Sequence, residues 1–230
     1  MKKKTLVFIC LVALLAVAAA GIFWWTRGSG RKIAIDAENF PDEIFRAYVS
    51  DYYDLNDDGV LDKREIRAAK NCAPKEMEVR SLKGIEFLIY LERLNCSSCE
   101  LESLDVSNNR ALKDLDTSYT PLKELKLGNN TKLTYLVCRS TPLTSLDVKG
   151  CTKLKTLQCS GFEFKELDIS NHPFLEWVNC LGGALESLDA HNCPVLESLY
   201  YNGAPLITLD IRDCDRLQSY PEDEGTTILR

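Results

Sequence analysis

The sequence has 230 residues, of which 45% are hydrophobic, and its formal net charge at pH 7 is −6. Nonspecific binding to nucleic acid needs cations that displace counterions from phosphates, so this acidic composition argues against a nucleic-acid partner. Ten cysteines are many for this length, but disulfide-rich domains are shorter and lack a regular apolar core. The composition therefore favours an ordinary folded protein.

An uncharged, apolar stretch lies near the start of the chain. It spans residues 5–25, follows a lysine triplet, and ends in Trp24 and Trp25. A helix of this length crosses a hydrocarbon core of roughly 30 Å, and indole rings favour the membrane interface. We therefore expect residues 1–25 to be a transmembrane signal-anchor.

Residues 26–32 read as a short flexible linker. Basic residues flank the apolar stretch on both sides, but long domains translocate largely regardless of flanking charge. We therefore expect a single-pass protein of the cell membrane, with its C-terminal domain outside the cytoplasm. The alternative is a signal peptide cleaved at the small residues around Ala18 and Ala20, which would leave a secreted chain.

Residues 33–76 are predicted to form an EF-hand-like helical cap. Apolar residues recur at helical spacing before the sequence DLNDDGVLDKRE, residues 54–65. This segment fits the twelve-residue calcium loop, with Gly59 at the sharp turn. Its predicted oxygen ligands, at loop positions 1, 3, 5, 7, 9 and 12, are Asp54, Asn56, Asp58, the carbonyl of Val60, Asp62 and Glu65.

The predicted cofactor is therefore calcium. The alternative is an acidic, solvated turn between two helices, because Asp and Asn are common in turns. The sequence holds no second loop of this kind. An unpaired site outside a cell is expected to be a weak structural clip, with a dissociation constant of about 10⁻⁴–10⁻³ M.

From Leu101 onward the sequence repeats every 21 residues. One leucine column comprises Leu101, Leu122, Leu143, Phe164, Leu185 and Leu206, and a second, half a repeat later, comprises Leu112, Leu133, Leu154, Leu175, Leu196 and Leu217. Each half reads LxxLxL or LxxLxC and alternates as a short strand does. Neither strand can bury its apolar face alone, so we expect the copies to stack into a solenoid with one core.

The pattern resembles the leucine-rich repeat. The segments SLDVSNNRALKDLDTSYT (103–120) and SLDVKGCTKLKTLQCSGF (145–162) are similar to the 21-residue repeats of bacterial cell-surface proteins, and RSLKGIEFLIYLERLNC (80–96) is similar to their first, capping repeat. In that family an EF-hand-like segment often precedes the array. The resemblance implies a mostly β solenoid over residues 77–220, surface display, and recognition of a protein or glycan, without naming the partner. Residues 221–230 are predicted to be a short tail.

The repeat accounts for most cysteines and for a row of acidic residues. An inward column contains Cys96, Cys138, Cys159 and Cys180, and a turn column contains Cys151, Cys193 and Cys214. Free cysteine behaves as a small buried apolar residue, so we expect neither zinc nor redox chemistry. The outward ladder Asp105, Asp147, Asp168, Asp189 and Asp210 is interpreted as a solvated edge, with a second cation site as the alternative.

Outward positions of the LxxLxC strands carry large aromatic and apolar side chains. Exposed Trp and Tyr on a sheet face are typical of binding hot spots. We therefore expect a ligand patch on the concave face formed by Tyr135, Trp177, Leu181 and Tyr200. The alternative is that these side chains pack on their neighbours or on the C-terminal tail.

Catalysis has no support in the sequence, because neither histidine stands beside a nucleophile signature. We predict a membrane-anchored binding protein that is not an enzyme, whose partner is an unidentified protein or glycan at the cell surface. A calcium-stabilised spacer or accessory subunit of a cell-envelope complex is the alternative function.

Overall fold

The computed structural model describes residues 32–74, 78–221 and 225–230. The predicted transmembrane segment lies outside these residues. Within them, every helix is too short or too polar to cross a bilayer.

The cap consists of two helices and one small sheet. In chain order its elements are β1 (Ile33–Ala34), α1 (Glu43–Tyr53), β2 (Val60–Leu61) and α2 (Lys63–Ala68). Asp42 begins α1 by accepting hydrogen bonds from the amides of Ile44 and Phe45, since its carboxylate satisfies donors that the first helical turn leaves free. The predicted helix-loop-helix is therefore present.

Short strands follow the cap, with a 3₁₀ turn at Ile85–Phe87 between the first and the second of them. They are β3 (Asn71–Cys72), β4 (Arg93–Asn95), β5 (Ser103–Asp105), β6 (Asp114–Asp116), β7 (Glu124–Lys126), β8 (Tyr135–Arg139), β9 (Thr156–Ser160), β10 (Glu166–Asp168), β11 (Trp177–Asn179), β12 (Ser187–Asp189), β13 (Ser198–Tyr200), β14 (Thr208–Asp210) and β15 (Thr227–Leu229).

The larger sheet has seven parallel strands in the order β13-β11-β9-β8-β6-β4-β3. From β4 onward, paired residues are one repeat apart, as Leu115 is from Leu136 and Leu136 from Leu157. The inward residues of these strands are all buried: Leu94, Leu115, Leu136, Leu157, Val178 and Leu199. The predicted stacking of leucines around one interior is confirmed.

The second sheet is interrupted. Strands β5 and β7 pair with each other, and β10, β12, β14 and β15 form a separate parallel set. Between them, residues 144–148 form no strand, contrary to the prediction that each half-repeat contributes one. In the next coil, the rings of Phe162 and Phe164 stack 4.1 Å apart at positions that hold Thr141 and Leu143 one repeat earlier. We attribute the missing strand at residues 144–148 to these larger rings.

A turn column closes each coil after the larger sheet. Backbone φ is positive at six positions one repeat apart, Ser98, Tyr119, Ser140, Gly161, Gly182 and Gly203. Such a left-handed conformation costs a residue with a Cβ about 1–2 kcal/mol. Glycine therefore occupies the column in three consecutive coils.

A second turn column donates hydrogen bonds to the preceding coil. Asn109 and Asn130 donate from Nδ2 to the carbonyls of Ile85 (2.7 Å) and Val106 (3.0 Å). Cys193 and Cys214 occupy the same column, and their thiols lie 3.2 and 3.0 Å from the carbonyls of Ile169 and Ala190. Asn and Cys can replace one another at this turn because both side chains satisfy a buried carbonyl.

The cap is continuous with the solenoid. Strand β3 pairs with β4, so that Cys72 lies beside Leu94 at the end of the larger sheet. The second oxygen of the Asp42 carboxylate accepts the amides of Arg80 (2.9 Å) and Ser81 (3.0 Å). At the other end, β15 adds a strand to β14, so the predicted tail contributes to the fold.

Candidate functional site

The acidic loop turns back on itself between α1 and α2. Gly59 has a φ of +75°, and a Cβ there would meet nothing within 4 Å, so glycine is needed for the backbone angle alone. Asp57 is also left-handed, with a φ of 57°. Asp62 caps α2 in a reciprocal capping box with Glu65.

Two of the predicted ligands are buried carboxylates. Asp54 is 7% exposed and Glu65 is 3% exposed. Asp54 accepts the amides of Asp58 (3.1 Å) and Gly59 (2.8 Å), while Glu65 accepts those of Leu55 (3.0 Å) and Asp62 (2.7 Å). Burying an ionised carboxylate is costly unless it is paired or binds a metal. Both carboxylates accept backbone amides of the loop and would also fit a bound cation.

The remaining predicted ligands line the outer part of the loop. Asn56 accepts the amide of Asp58 at 2.9 Å, and Val60 lies half-buried in β2. The Lys32 ammonium lies 2.5 Å from Asp58, and its hydrogen bond lowers the pKa of that carboxyl. Asp58 therefore already has one cationic partner.

The donor set fits a hard cation such as Ca²⁺, which takes six to eight oxygen ligands. Asp54, Asn56, Asp58, the carbonyl of Val60, Asp62 and Glu65 would hold it. The structure describes the whole loop, and no three of the loop carboxylates have their ligand atoms within 4.8 Å of one another. In the described part of the chain, one group of three acidic or histidine residues has its ligand atoms within 4.8 Å of one another, and that group lies elsewhere.

That group is Asp189, His191 and Asp210 on the outward acidic ladder. Arg212 already neutralises Asp210 through a contact of 2.6 Å, and His191 Nδ1 lies 2.7 Å from Asp189. Each ladder carboxylate also accepts the amide two residues later, as Asp105 does from Ser107 at 2.9 Å. The ladder thus behaves as a turn-stabilising edge.

The predicted ligand patch lies on the larger sheet. Trp177 and Tyr200 are half-buried on adjacent strands β11 and β13, with ring centroids 6.0 Å apart and planes inclined by 56°. Tyr135 is two strands away, across from Thr156, and its hydroxyl accepts from Gln158 Nε2 at 3.3 Å. The structure therefore brings Trp177 and Tyr200 together and leaves Tyr135 at the margin.

Leu181 lies at the far end of the same face and is 40% exposed. It lines a cavity of about 330 Å³ together with Cys159 and the polar residues Arg139, Gln158, Ser160 and Asn179. Arg139 also contacts Gln158. Sequence periodicity missed this cavity, because its walls come from three different coils.

The cysteines of the inward column are buried in the core. Cys159 Sγ lies 3.3 Å from Cys180 Sγ, and hydrogen bonds with Cys138 and Cys180, together with burial, raise the pKa of Cys159. Burial likewise raises the pKa of Cys96. Thiols held protonated are poor nucleophiles and metal ligands, so the column serves packing.

Solved structures provide the comparison. No protein-family model and no curated protein sequence matches the chain. The chain is similar to internalin C2 of Listeria monocytogenes, with a TM-score of 0.57 and 14% identity over 88% of this chain and 99% of that one. This likeness establishes the fold as a leucine-rich repeat solenoid.

Two further internalin structures from the same organism match with lower scores. The functional domain of InlJ, which includes a cysteine ladder, has a TM-score of 0.49 and 20% identity, covering 84% of this chain and 62% of that chain. Internalin F has a TM-score of 0.31 and 14% identity, covering 84% of this chain and 98% of that chain. The present chain thus spans less than two thirds of the InlJ domain.

Proposed function

We propose that this chain is a membrane-anchored, extracytoplasmic recognition module that binds a protein or glycan through the aromatic part of its larger sheet. The observation that carries the proposal is the pair Trp177 and Tyr200, half-exposed on adjacent strands of a regular sheet. Large rigid aromatics supply contact area at low entropic cost and dominate many interfaces. Solenoids display such groups on an extended surface.

The cap completes the proposal with a structural calcium site. The buried carboxylates of Asp54 and Glu65 support it. When bound, calcium would supply the positive charge that these carboxylates lack and would hold α1 and α2 together. The apolar stretch within residues 1–25 is proposed to keep the module at the cell membrane.

The proposal excludes catalysis as the function of this chain. His172 lies in the buried turn column, with both ring nitrogens near backbone carbonyls. His191 is paired with Asp189. Both histidines are thus engaged in turn structure.

A calcium-stabilised spacer in an envelope complex is the second candidate. The observation in its favour is a series of ion pairs between successive coils, including Lys113–Glu92 (2.6 Å), Lys155–Glu176 (2.8 Å) and Lys165–Glu186 (2.7 Å). Both members of each pair belong to the solenoid, so these charges connect neighbouring coils and are not left for a contact with a partner.

Binding screens separate the two candidates. The full chain in detergent is applied to a glycan array and to a display library of surface proteins. The recognition proposal predicts a ligand that is lost with Trp177→Ala and kept with Phe174→Ala, which removes an exposed aromatic from a turn. A ligand that binds the Trp177→Ala variant as tightly as the parent chain contradicts the proposed site.

A further inference from the structure

The calcium loop has a strand partner that the sequence did not reveal. Strand β1 pairs antiparallel with β2, placing Ile33 beside Leu61 and Ala34 beside Val60. The amide of Ile35 also donates to the carbonyl of Gly59 at 2.9 Å. These bonds reach positions 6, 7 and 8 of the loop, which include the carbonyl expected to face calcium.

The sequence holds no second EF-hand loop that could supply this strand pairing. A two-residue strand has no stability alone, since its ladder groups need partners. The single hand of this chain obtains that partner from the residues directly after the linker.

We propose that residues 32–35 act as a surrogate second hand, which orders the loop for calcium and links the loop to the membrane-proximal linker. The inference rests on the proposed calcium site. It assigns opposite effects to two parts of the segment, because the backbone of β1 supports the loop whereas Lys32 opposes the metal.

The opposing role of Lys32 follows from its position. Its ammonium lies 2.5 Å from Asp58 Oδ2, with both side chains partly exposed. At this distance the ammonium competes with calcium for one of the predicted ligands. Calcium entry requires Lys32 to leave Asp58.

The main consequence is a coupling between the linker and the metal. Calcium bound in the loop would stabilise the ladder that β1 forms with β2, and with it the position of residues 33–35. By reciprocity, any force or cleavage that removes β1 weakens calcium binding. The membrane-proximal end of the solenoid would thus be fixed when calcium is present.

The experiment is calorimetric titration of the full chain in detergent with calcium ion alone. Ile35→Pro removes the donor to Gly59, and we expect calcium affinity to fall about three- to tenfold, the effect of losing about one hydrogen bond. The matched control Ile35→Val keeps the amide and should bind as the parent chain does. Circular dichroism verifies that the repeats of each variant remain folded.

A second variant tests the competition without disturbing the ladder. Lys32→Met should raise calcium affinity about two- to fivefold, the range expected for one exposed ion pair. Lys153→Met removes a similarly exposed lysine remote from the loop and should leave the affinity unchanged.

The outcomes distinguish a failure of this inference from a failure of the proposed calcium site. If the parent chain binds calcium no better than Glu65→Gln, the calcium site itself is absent and the inference fails with it. If the parent chain binds and Ile35→Pro binds equally well, the site stands and the surrogate hand is overturned. Equal calcium affinities for Lys32→Met and the parent chain overturn the proposal that Lys32 competes with calcium for Asp58.

Discussion

The rings of Trp177 and Tyr200 lie diagonally across adjacent strands, with centroids 6.0 Å apart and planes inclined by 56°. Hydrogen bonds from Ser219 and Ser198 lower the pKa of the Tyr200 phenol. The hydroxyl of Tyr200 is therefore bonded to side chains of its own sheet. Trp177 is half-buried and lies across from the small side chains of Thr156 and Ser198. We therefore expect Trp177 to dominate binding.

Trp177→Ala should weaken ligand binding by at least about 2 kcal/mol, roughly 30-fold, as hot-spot residues do. Tyr135→Ala should cost less than about 1 kcal/mol, because Tyr135 lies two strands away and its hydroxyl bonds to Gln158. Surface plasmon resonance with the ligand from the binding screen measures both. The patch is wrongly placed if the two substitutions cost the same.

Calcium should stabilise the fold. With a dissociation constant of about 10⁻⁴–10⁻³ M, 10 mM calcium should raise the free energy of unfolding by about 1.4–2.7 kcal/mol. Urea unfolding with calcium, and with chelator in its place, measures this difference. Glu65→Gln should abolish it, whereas a calcium effect that persists in this variant would remove the loop from the account.

The repeat could be predicted from the sequence because it is periodic. Six copies in register determine which residues face the interior, and Leu115, Leu136 and Leu157 are indeed fully buried. The ligand set of the acidic loop was read from a contiguous motif, and it stays a prediction. The structure brings the predicted aromatic residues together only in part, because strands β9 and β11 lie between the strand of Tyr135 and the strand of Tyr200.

The features that sequence reasoning missed are short and not periodic. Strands β1 and β3 have two residues each, too few to show an alternating pattern, and each exists only because a partner strand is already in place. We attribute the interruption at residues 144–148 to the stacked rings of Phe162 and Phe164 in the next coil. Such effects are decided by tertiary packing, which local propensity does not encode.

The turn column that contains His172 offers a test of buried hydrogen bonding. His172 Nε2 lies 3.1 Å from the carbonyl of Val148, and Nδ1 lies 3.0 Å from that of Ile169. His172→Leu should destabilise the fold by about 1–3 kcal/mol, because a buried carbonyl loses its donor. His172→Asn should retain most of the stability, since Asn130 donates to two carbonyls in the same column. Equal losses for both variants, measured by urea unfolding, would contradict this role.

The left-handed turn column offers a test of backbone strain. Gly182 has a φ of +64° and space for a Cβ, since nothing lies within 4 Å. Gly182→Ala should therefore cost about 1–2 kcal/mol from conformation alone. Tyr119 has a φ of 60° in the same column, so Tyr119→Ala exchanges one strained residue for another and should be nearly neutral. Thermal unfolding of both variants compares them, and a neutral Gly182→Ala would refute the strain argument.

The shared interior is tested most directly at Leu157, which is fully buried and pairs with Leu136 on one side and Val178 on the other. The measurement is the free energy of unfolding of Leu157→Ala, obtained from urea titration. If successive coils bury their leucines in one core, the substitution should cost about 2–5 kcal/mol. A loss below about 0.5 kcal/mol, typical of a surface position, would contradict the stacked solenoid and the sheet that presents Trp177.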